Sequence, residues 1–268
     1  MKKNILFILF LSMLLPVCGV ASYITMATNF SIEKDDRGLT LVVTSMNKGD
    51  EPAYDVQYEI HAGSQTFIGS SVSQLGVNKE IRQDFSIDDA FEQPGHYPVI
   101  IKTHYRDANA YPFSALAIGF YDYKAPALSG VLIRADNLKI PSNGKGVMEF
   151  TVRNSDSVAH ELNLVLHLPD ELAVLEEDQQ RSIGPRATEI LRYTLENFSA
   201  LDNSSYAVVL IAEYEEEGKH YSTAGSIVVQ VTVPTAVSRE MLWILLAVAA
   251  LVIALLVVVR FRHSRSRD

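Results

Sequence analysis

Cysteine is nearly absent from this chain. The one cysteine among 268 residues is Cys18. It lies beside an N-terminal apolar run, so the rest of the molecule can form no disulfide and do no thiol chemistry. Basic charge is scarce as well, with 23 lysines and arginines against 32 aspartates and glutamates. Six of those basic residues and one acid sit at the extreme termini, which leaves 17 against 31 between residues 23 and 240, a net of −14. Such a body lacks the clustered cations that neutralise phosphates, so no nucleic acid is expected as a partner. Sustained helical periodicity is missing from the same stretch. So are a Gly-x-Ser-x-Gly elbow, a phosphate-binding glycine loop and a His-x-x-x-His zinc pair. No catalytic residue, cofactor site or metal ligand is assigned, and the chain reads as a non-enzyme.

What the chain does have begins with hydrophobicity at its ends. Residues 241–259 are nineteen apolar residues without a break, about 28 Å as a helix against about 30 Å of bilayer hydrocarbon. Thirteen are Leu, Ile or Val, which favours insertion by several kcal/mol. Trp243 is suited to one interface, and Arg260, Arg262, Arg265 and Arg267 follow at once as a basic stop. Short basic flanks stay cytoplasmic, so residues 260–268 are expected inside and the body outside. At the other end, Lys2 and Lys3 precede an apolar stretch from Ile5 to Val17 and the small residues Gly19, Ala21 and Ser22. That layout is a secretory signal cleaved after Ala21 or Ser22. An uncleaved anchor and lipidation of Cys18 are the alternatives.

Between the ends lies a repeat. Thr44-Ser45-Met46-Asn47-Lys48-Gly49 answers Thr151-Val152-Arg153-Asn154-Ser155-Asp156, and Leu75-Gly76 answers Ile183-Gly184. The segment from Tyr97 to Tyr105 answers that from Tyr206 to Tyr214, and Tyr111 to Ser114 answers Tyr221 to Ala224. Offsets near 108 residues match a duplicated domain. Both copies alternate with period two, as in Leu162, Leu164, Leu166 and Leu168, or Val99, Ile101 and Thr103, the mark of half-buried strands. Turn residues separate the runs, for example Gln93-Pro94-Gly95 and Glu216-Glu217-Gly218. Pro169 to Glu177 has room for a helical turn or two. The fold class is all-β, two tandem antiparallel immunoglobulin-like sandwiches followed by one transmembrane helix. The boundaries are 1–22 for the signal, 23–123 and 124–234 for the sandwiches, 235–240 for a linker, 241–259 for the span and 260–268 for the tail.

The Asn47-Lys48-Gly49 turn, the Ala53-Tyr54-Asp55-Val56 strand, Leu75-Gly76 and Pro94-Gly95-His96-Tyr97 together resemble the CARDB and NEW3 families of prokaryotic surface proteins. The second copy departs from that pattern: Asn154-Ser155-Asp156 lacks the glycine, and Asn203-Ser204-Ser205-Tyr206 stands where the first copy has Pro-Gly. The resemblance covers about residues 28 to 234 and implies immunoglobulin-like modules that act as spacers, adhesins or accessory parts of envelope assemblies.

Several other residues carry chemistry but also admit plainer roles. His61, His96, His104, His160, His167 and His220 read as satisfied or surface histidines. Asp35-Asp36 and Asp88-Asp89 are the better acidic pairs for calcium, with solvated loop charge as the ordinary alternative. Tyr97 and Tyr206 occupy the place of the corner tyrosine of such sandwiches. Tyr105, Tyr111, Tyr121 and Tyr123 offer aromatic surface for sugar stacking, or for packing against the neighbouring domain. Asn29, Asn197 and Asn203 match the glycosylation pattern. The expected role is a membrane-anchored extracytoplasmic scaffold that docks another membrane or surface protein, with carbohydrate binding as the alternative.

Overall fold

The structure is a computed structural model that describes residues 23–36, 38–176 and 179–233, with three further positions, 243, 246 and 247. Trp243 is helical and exposed. Cys18, Arg260, Arg262, Arg265 and Arg267 lie outside the described residues, as do the expected signal, the linker, most of the span and the tail. Among the described residues no helix is long and apolar enough to cross a membrane.

The period-two segments are strands. The first copy contains β1 (Met26–Asp35), β2 (Gly38–Asn47), β3 (Ala53–Ala62), β4 (Gln65–Ile68), β5 (Val72–Leu75), β6 (Glu80–Ser86), β7 (Gly95–Arg106) and β8 (Pro112–Tyr123). Sheet β1-β2-β6 faces a sheet in which β3 pairs with β4, β5 and β7, and β7 pairs with β8. The second copy contains β9 (Val131–Ala135), β10 (Leu138–Pro141), β11 (Lys145–Asn154), β12 (His160–His167), β13 (Leu172–Val174), β14 (Gln179–Ile183), β15 (Thr188–Asn197), β16 (Ser205–Glu216) and β17 (Lys219–Thr232). Here β13-β15-β11-β9 covers the sheet β14-β12-β16-β17, and β10 pairs parallel to β17. Each sandwich closes over its own core. Leu41, Tyr58, Ile60, Val99 and Ile101 fill the first; Phe150, Leu164, Tyr193, Leu210 and Val229 fill the second.

The repeat is exact in its polar anchors. Asn47 is fully buried, and its Nδ2 donates to the carbonyls of Glu51 (2.7 Å) and Leu75 (3.2 Å), while Oδ1 accepts from Gly49 N (2.9 Å). Asn154, equally buried, donates to Val158 (2.7 Å), Ile183 (3.2 Å) and Gly184 (3.0 Å) and accepts from Asp156 N (2.8 Å). The turns that supply those carbonyls also match. Lys79 N bonds Gly76 O and Ala187 N bonds Gly184 O, with Asn78 and Arg186 both left-handed at φ 56° and 58°, the third position of a type II turn.

Two sequence expectations change. Pro169 onward forms a loop and the short strand β13 rather than helical turns, because Leu172 is buried and the strand completes its ladder on β15. The last element of the repeat also shifts register. Tyr105 pairs with Phe113 as Tyr214 pairs with Tyr221, so the partner of Tyr221 is Phe113 and not Tyr111. The cause is the hairpin between them: five residues separate Arg106 from Pro112, whereas Glu217-Gly218, both at positive φ, alone join Glu216 to Lys219. Such a two-residue turn matches the strand twist.

The copies lie side by side and head to tail. His220 of β17 meets Gly95 of β7 in a parallel bridge, with His220 N bonded to Pro94 O at 3.0 Å. Because β16 is antiparallel to β17, the equivalent strands β7 and β16 run in opposite directions. The end at which β17 finishes, here the exit end, also carries Arg106 and the β10–β11 and β15–β16 loops; the linker between copies lies at the far end.

Candidate functional site

The seam between the sandwiches is where titratable side chains converge. Its apolar centre is a contact of outward faces: Ile100 of β7 is buried against Val209 and Ile211 of β16, with Leu116, Ile118 and Ala224 packed around them. The second copy foretells this, since Ala207-Val208-Val209-Leu210-Ile211-Ala212 is apolar at every position, as a strand buried on both faces must be.

Toward the exit end the contact becomes polar. Asp170, in the loop after β12, bridges Lys102 Nζ (2.9 Å) and His104 Nδ1 (2.9 Å), both on the outer face of β7. His104 Nε2 reaches Glu59 on β3 at 3.0 Å, and Glu59 also pairs with His61 at 3.0 Å. A carboxylate at each ring nitrogen favours the doubly donating imidazolium form of His104. The Asp170 hydrogen bond, stronger than the opposing burial, raises its pKa. That same bond holds the Asp170 carboxyl down to about 2. Burial of Glu59 acts to raise its pKa, and the hydrogen bonds from His104 and His61 together outweigh it and leave it lowered.

The next residue tightens the joint. Glu171 is almost fully buried and accepts from Ser114 N (3.0 Å) and Ser114 Oγ (2.9 Å) on β8, while Asp170 N donates to the same hydroxyl at 2.8 Å. Burial pushes the Glu171 carboxyl upward. At the far end the seam is pinned again: Tyr97 stacks on His220 at 4.1 Å, Ser222 Oγ donates to His96 O at 2.7 Å, and Gln93 Nε2 donates to Glu215 at 3.1 Å. A cleft of about 380 Å³ opens beside the polar cluster, lined by His61, Lys102, His167, Leu168, Pro169 and Asp170 among others. Every charged group in the cluster has a partner across or along the seam. The arrangement joins two bodies.

The residues singled out by sequence distribute as follows. Tyr97 and Tyr206 are corner tyrosines: Tyr97 OH donates to Gln93 O at 2.8 Å, and Tyr206 OH accepts from Leu201 N at 3.1 Å. Tyr105 and Tyr111 lie at the exit end, and Tyr121 and Tyr123 lie twelve-residue β8 away, against Phe91. They form no common platform. Asp88 serves the fold, accepting from Leu39 N (2.6 Å) and Ser86 Oγ (2.9 Å). Among the described residues no group of three or more His, Cys, Asp or Glu is placed to hold a metal ion. Asn197 is committed to Ser142 and Ala200. Sequence reasoning missed Asp170, Glu171, Lys102 and Ser114. The available signal was Lys102 and His104 sharing an outward face with apolar Ile100, which marks a covered surface.

No family model matches the sequence, and no curated protein matches it. Solved structures are similar at low identity. Native alpha-2-macroglobulin of Escherichia coli is similar at 8% identity and a TM-score of 0.33, over 79% of this chain and 17% of that one. The chain thus spans a small part of the macroglobulin. A protein of unknown function from Porphyromonas gingivalis is similar at 10% identity and a TM-score of 0.33, over 77% of this chain and 99% of its own. The seventh type I cohesin of ScaB from Pseudobacteroides cellulosolvens is similar at 13% identity and a TM-score of 0.25, over 42% of this chain and 99% of its own. The sandwich architecture itself rests on the strand pairings.

Proposed function

We propose that the chain is a single-pass, membrane-anchored scaffold of the prokaryotic cell envelope, non-catalytic, whose paired sandwiches stand outside the cytoplasm and dock another envelope protein. The observation that carries this reading is the seam. Its charged groups are mutually satisfied, so the sandwiches act as one block and recognition falls to outer edges and loops. Strands β6 and β14 end their sheets, and such edges offer unpaired backbone groups to a partner strand. The resemblance of the Asn47 turn and the Pro94-Gly95-His96-Tyr97 segment to CARDB and NEW3 modules agrees with an accessory role. The uninterrupted apolar run at 241–259 with its basic flank supports the anchor and the orientation. Sugar recognition, the alternative, loses its main support because the four tyrosines are split between opposite ends.

The test is photocrosslinking in native membranes from the full chain, with a reactive residue at position 82 on β6, at 180 on β14, or at 211 inside the seam. The proposal expects one envelope protein captured from an edge position and none from 211. Absence of any adduct from both edges refutes it. Clean binding of the chain to one sugar class on a glycan array transfers the function to the alternative.

A further inference from the structure

The exit end of the second sandwich bears an apolar tip that is exposed among the described residues. Phe198 is 79% exposed and Leu201 45% exposed, both in the loop between β15 and β16. Phe198 and Leu201 are held out by a built framework. Asn197 beside Phe198 is fixed by Ser142 O (2.6 Å) and the Ala200 backbone, and Phe198 N and Ser199 N both donate to Glu171 O. Tyr111, from the first sandwich, reaches across to donate its hydroxyl to Ser199 O at 2.8 Å. Two sandwiches therefore contribute to one tip.

That tip lies where the chain leaves the fold. Ser142 N bonds Thr232 O at 3.0 Å and Ser142 O accepts from Asn197 Nδ2 at 2.6 Å, so the last residues of β17 are two hydrogen bonds from Asn197, the neighbour of Phe198. Only residues 234–240 separate Val233 from the apolar run that starts at Met241. Even fully extended, that length spans less than about 30 Å. An exposed aromatic and leucine on a stiff loop, facing a bilayer within tether range, are groups that partition into the headgroup–acyl boundary. Asp202 follows Leu201 in the chain and the Asp107 carboxylate accepts from Tyr111 N at 2.8 Å, so both acids flank the tip; the attraction is apolar and needs no anionic lipid.

We infer that the Phe198–Leu201 loop, with Tyr111 beside it, is a membrane-surface contact that seats the paired sandwiches on the bilayer holding their anchor. This rests on the reading of residues 241–259 as that anchor. Seating fixes the orientation of the block: the β10–β11 and β15–β16 loops face lipid, and Leu128, 91% exposed in the linker between copies, faces away.

The chain has a single tryptophan, Trp243, which makes the test direct. The full chain is reconstituted in phosphatidylcholine vesicles, with or without bromine on the acyl chains just below the headgroups. Three proteins are compared: the natural chain, Phe198→Trp in a Trp243→Phe background, and Leu128→Trp in that same background. Circular dichroism verifies that each is folded, and the high exposure of both substituted sites makes them tolerant. The inference expects a blue-shifted indole at position 198, quenched about twofold at the roughly 5–10 Å depth of interfacial groups, and an unquenched indole at 128. An unquenched indole at 198 with Trp243 quenched overturns the contact and leaves the anchor standing. Quenching at both 198 and 128 overturns the orientation and hence the inference. Unquenched Trp243 overturns the anchor and the contact together.

Discussion

Replacing Asn47 with alanine removes a side chain that holds three backbone groups, and the cost is calculable from what remains. The carbonyls of Glu51 and Leu75 lose their donor, and the Gly49 amide loses its acceptor. Leu75 and the Gly49 amide are shut away from water, whereas Glu51 is partly accessible. A buried polar group left unpaired costs about 1–3 kcal/mol, and an accessible one far less because water replaces the donor. Two buried losses and one mild one come to about 3 kcal/mol, against a total of roughly 5–15 kcal/mol for a domain. Asn154→Ala, with four bonds of which more are partly accessible, is expected to cost about the same.

A second substitution separates this account from a simple cavity effect. Asn47→Asp preserves volume and the acceptor for Gly49 N, yet at neutral pH it aims a carboxylate oxygen at two carbonyl oxygens. It should destabilise by at least as much as alanine at pH 7. Burial and those carbonyls raise the folded pKa of the new acid above its unfolded value. Its stability is therefore fullest below about pH 4 and is lost as pH rises through the folded pKa. The assay is urea unfolding of the full chain in mild detergent, followed by the β circular-dichroism signal, at pH 7 and pH 4.5. If Asn47→Ala and Asn154→Ala both fall within about 0.5 kcal/mol of the natural chain, an ordinary surface change, the polar anchors are not what closes these turns. If Asn47→Asp shows no recovery at the lower pH, the orientation assigned to the amide is wrong.

The seam gives the remaining predictions. Its ion pairs, with His104 faced by Glu59 on β3 and by Asp170, and Lys102 on the same strand, should weaken in two directions. As pH falls, Glu59 protonates below its ordinary range and Asp170 at about 2; as pH rises through the elevated pKa of His104 its charge is lost. Asp170→Asn should flatten both limbs, at a cost discounted to about 1 kcal/mol because that side chain is half exposed; a cross-seam distance measured by spin labels at several pH values reads it. Glu171→Ala should cost about 2 kcal/mol by orphaning Ser114 N, and Glu171→Gln less than 1 kcal/mol because the amide oxygen keeps that bond without a buried charge. Equal losses in denaturant unfolding would contradict this. Ile211→Glu places a charge among Ile100, Leu116 and Ile118 at a cost of about 3 kcal/mol or more. It should part the sandwiches, seen as a larger radius of gyration, while the β signal survives.

The fold was largely legible in sequence because each sandwich is made from short-range patterns. Alternation at Leu162–Leu168 or Tyr97–Tyr105 marks a core face, and the matched Asn47 and Asn154 turns mark the duplication. The seam was much less so. Asp170 and Glu171 follow a proline in what reads as ordinary polar loop, and their partners lie 56 to 68 residues earlier on another domain. No local period encodes such a contact. The residual trace is compositional: an apolar run on both faces of β16, and an isoleucine among the polar outward residues of β7. The tyrosines misled for the opposite reason. Tyr105 and Tyr123 lie only 18 residues apart in sequence, but a hairpin arm of twelve residues carries them to opposite ends of the sandwich.

Head-to-tail packing changes what duplication can offer. Two tandem copies aligned end to end would present the same loops twice, spaced along a stalk, and favour a repeating partner. Here β7 and β16 run in opposite directions, so the Asn47 turn points to the exit end and the Asn154 turn points to the far end. The equivalent outer faces of β7 and β16 are consumed by each other, which removes both from recognition at once. Whatever meets this block at the far end contacts the Asn154 turn and the linker around Leu128, neither of which has a counterpart there from the first copy. A partner of this protein should therefore bind one per chain, and a second equivalent binding step seen by calorimetry on the full chain would contradict the packing.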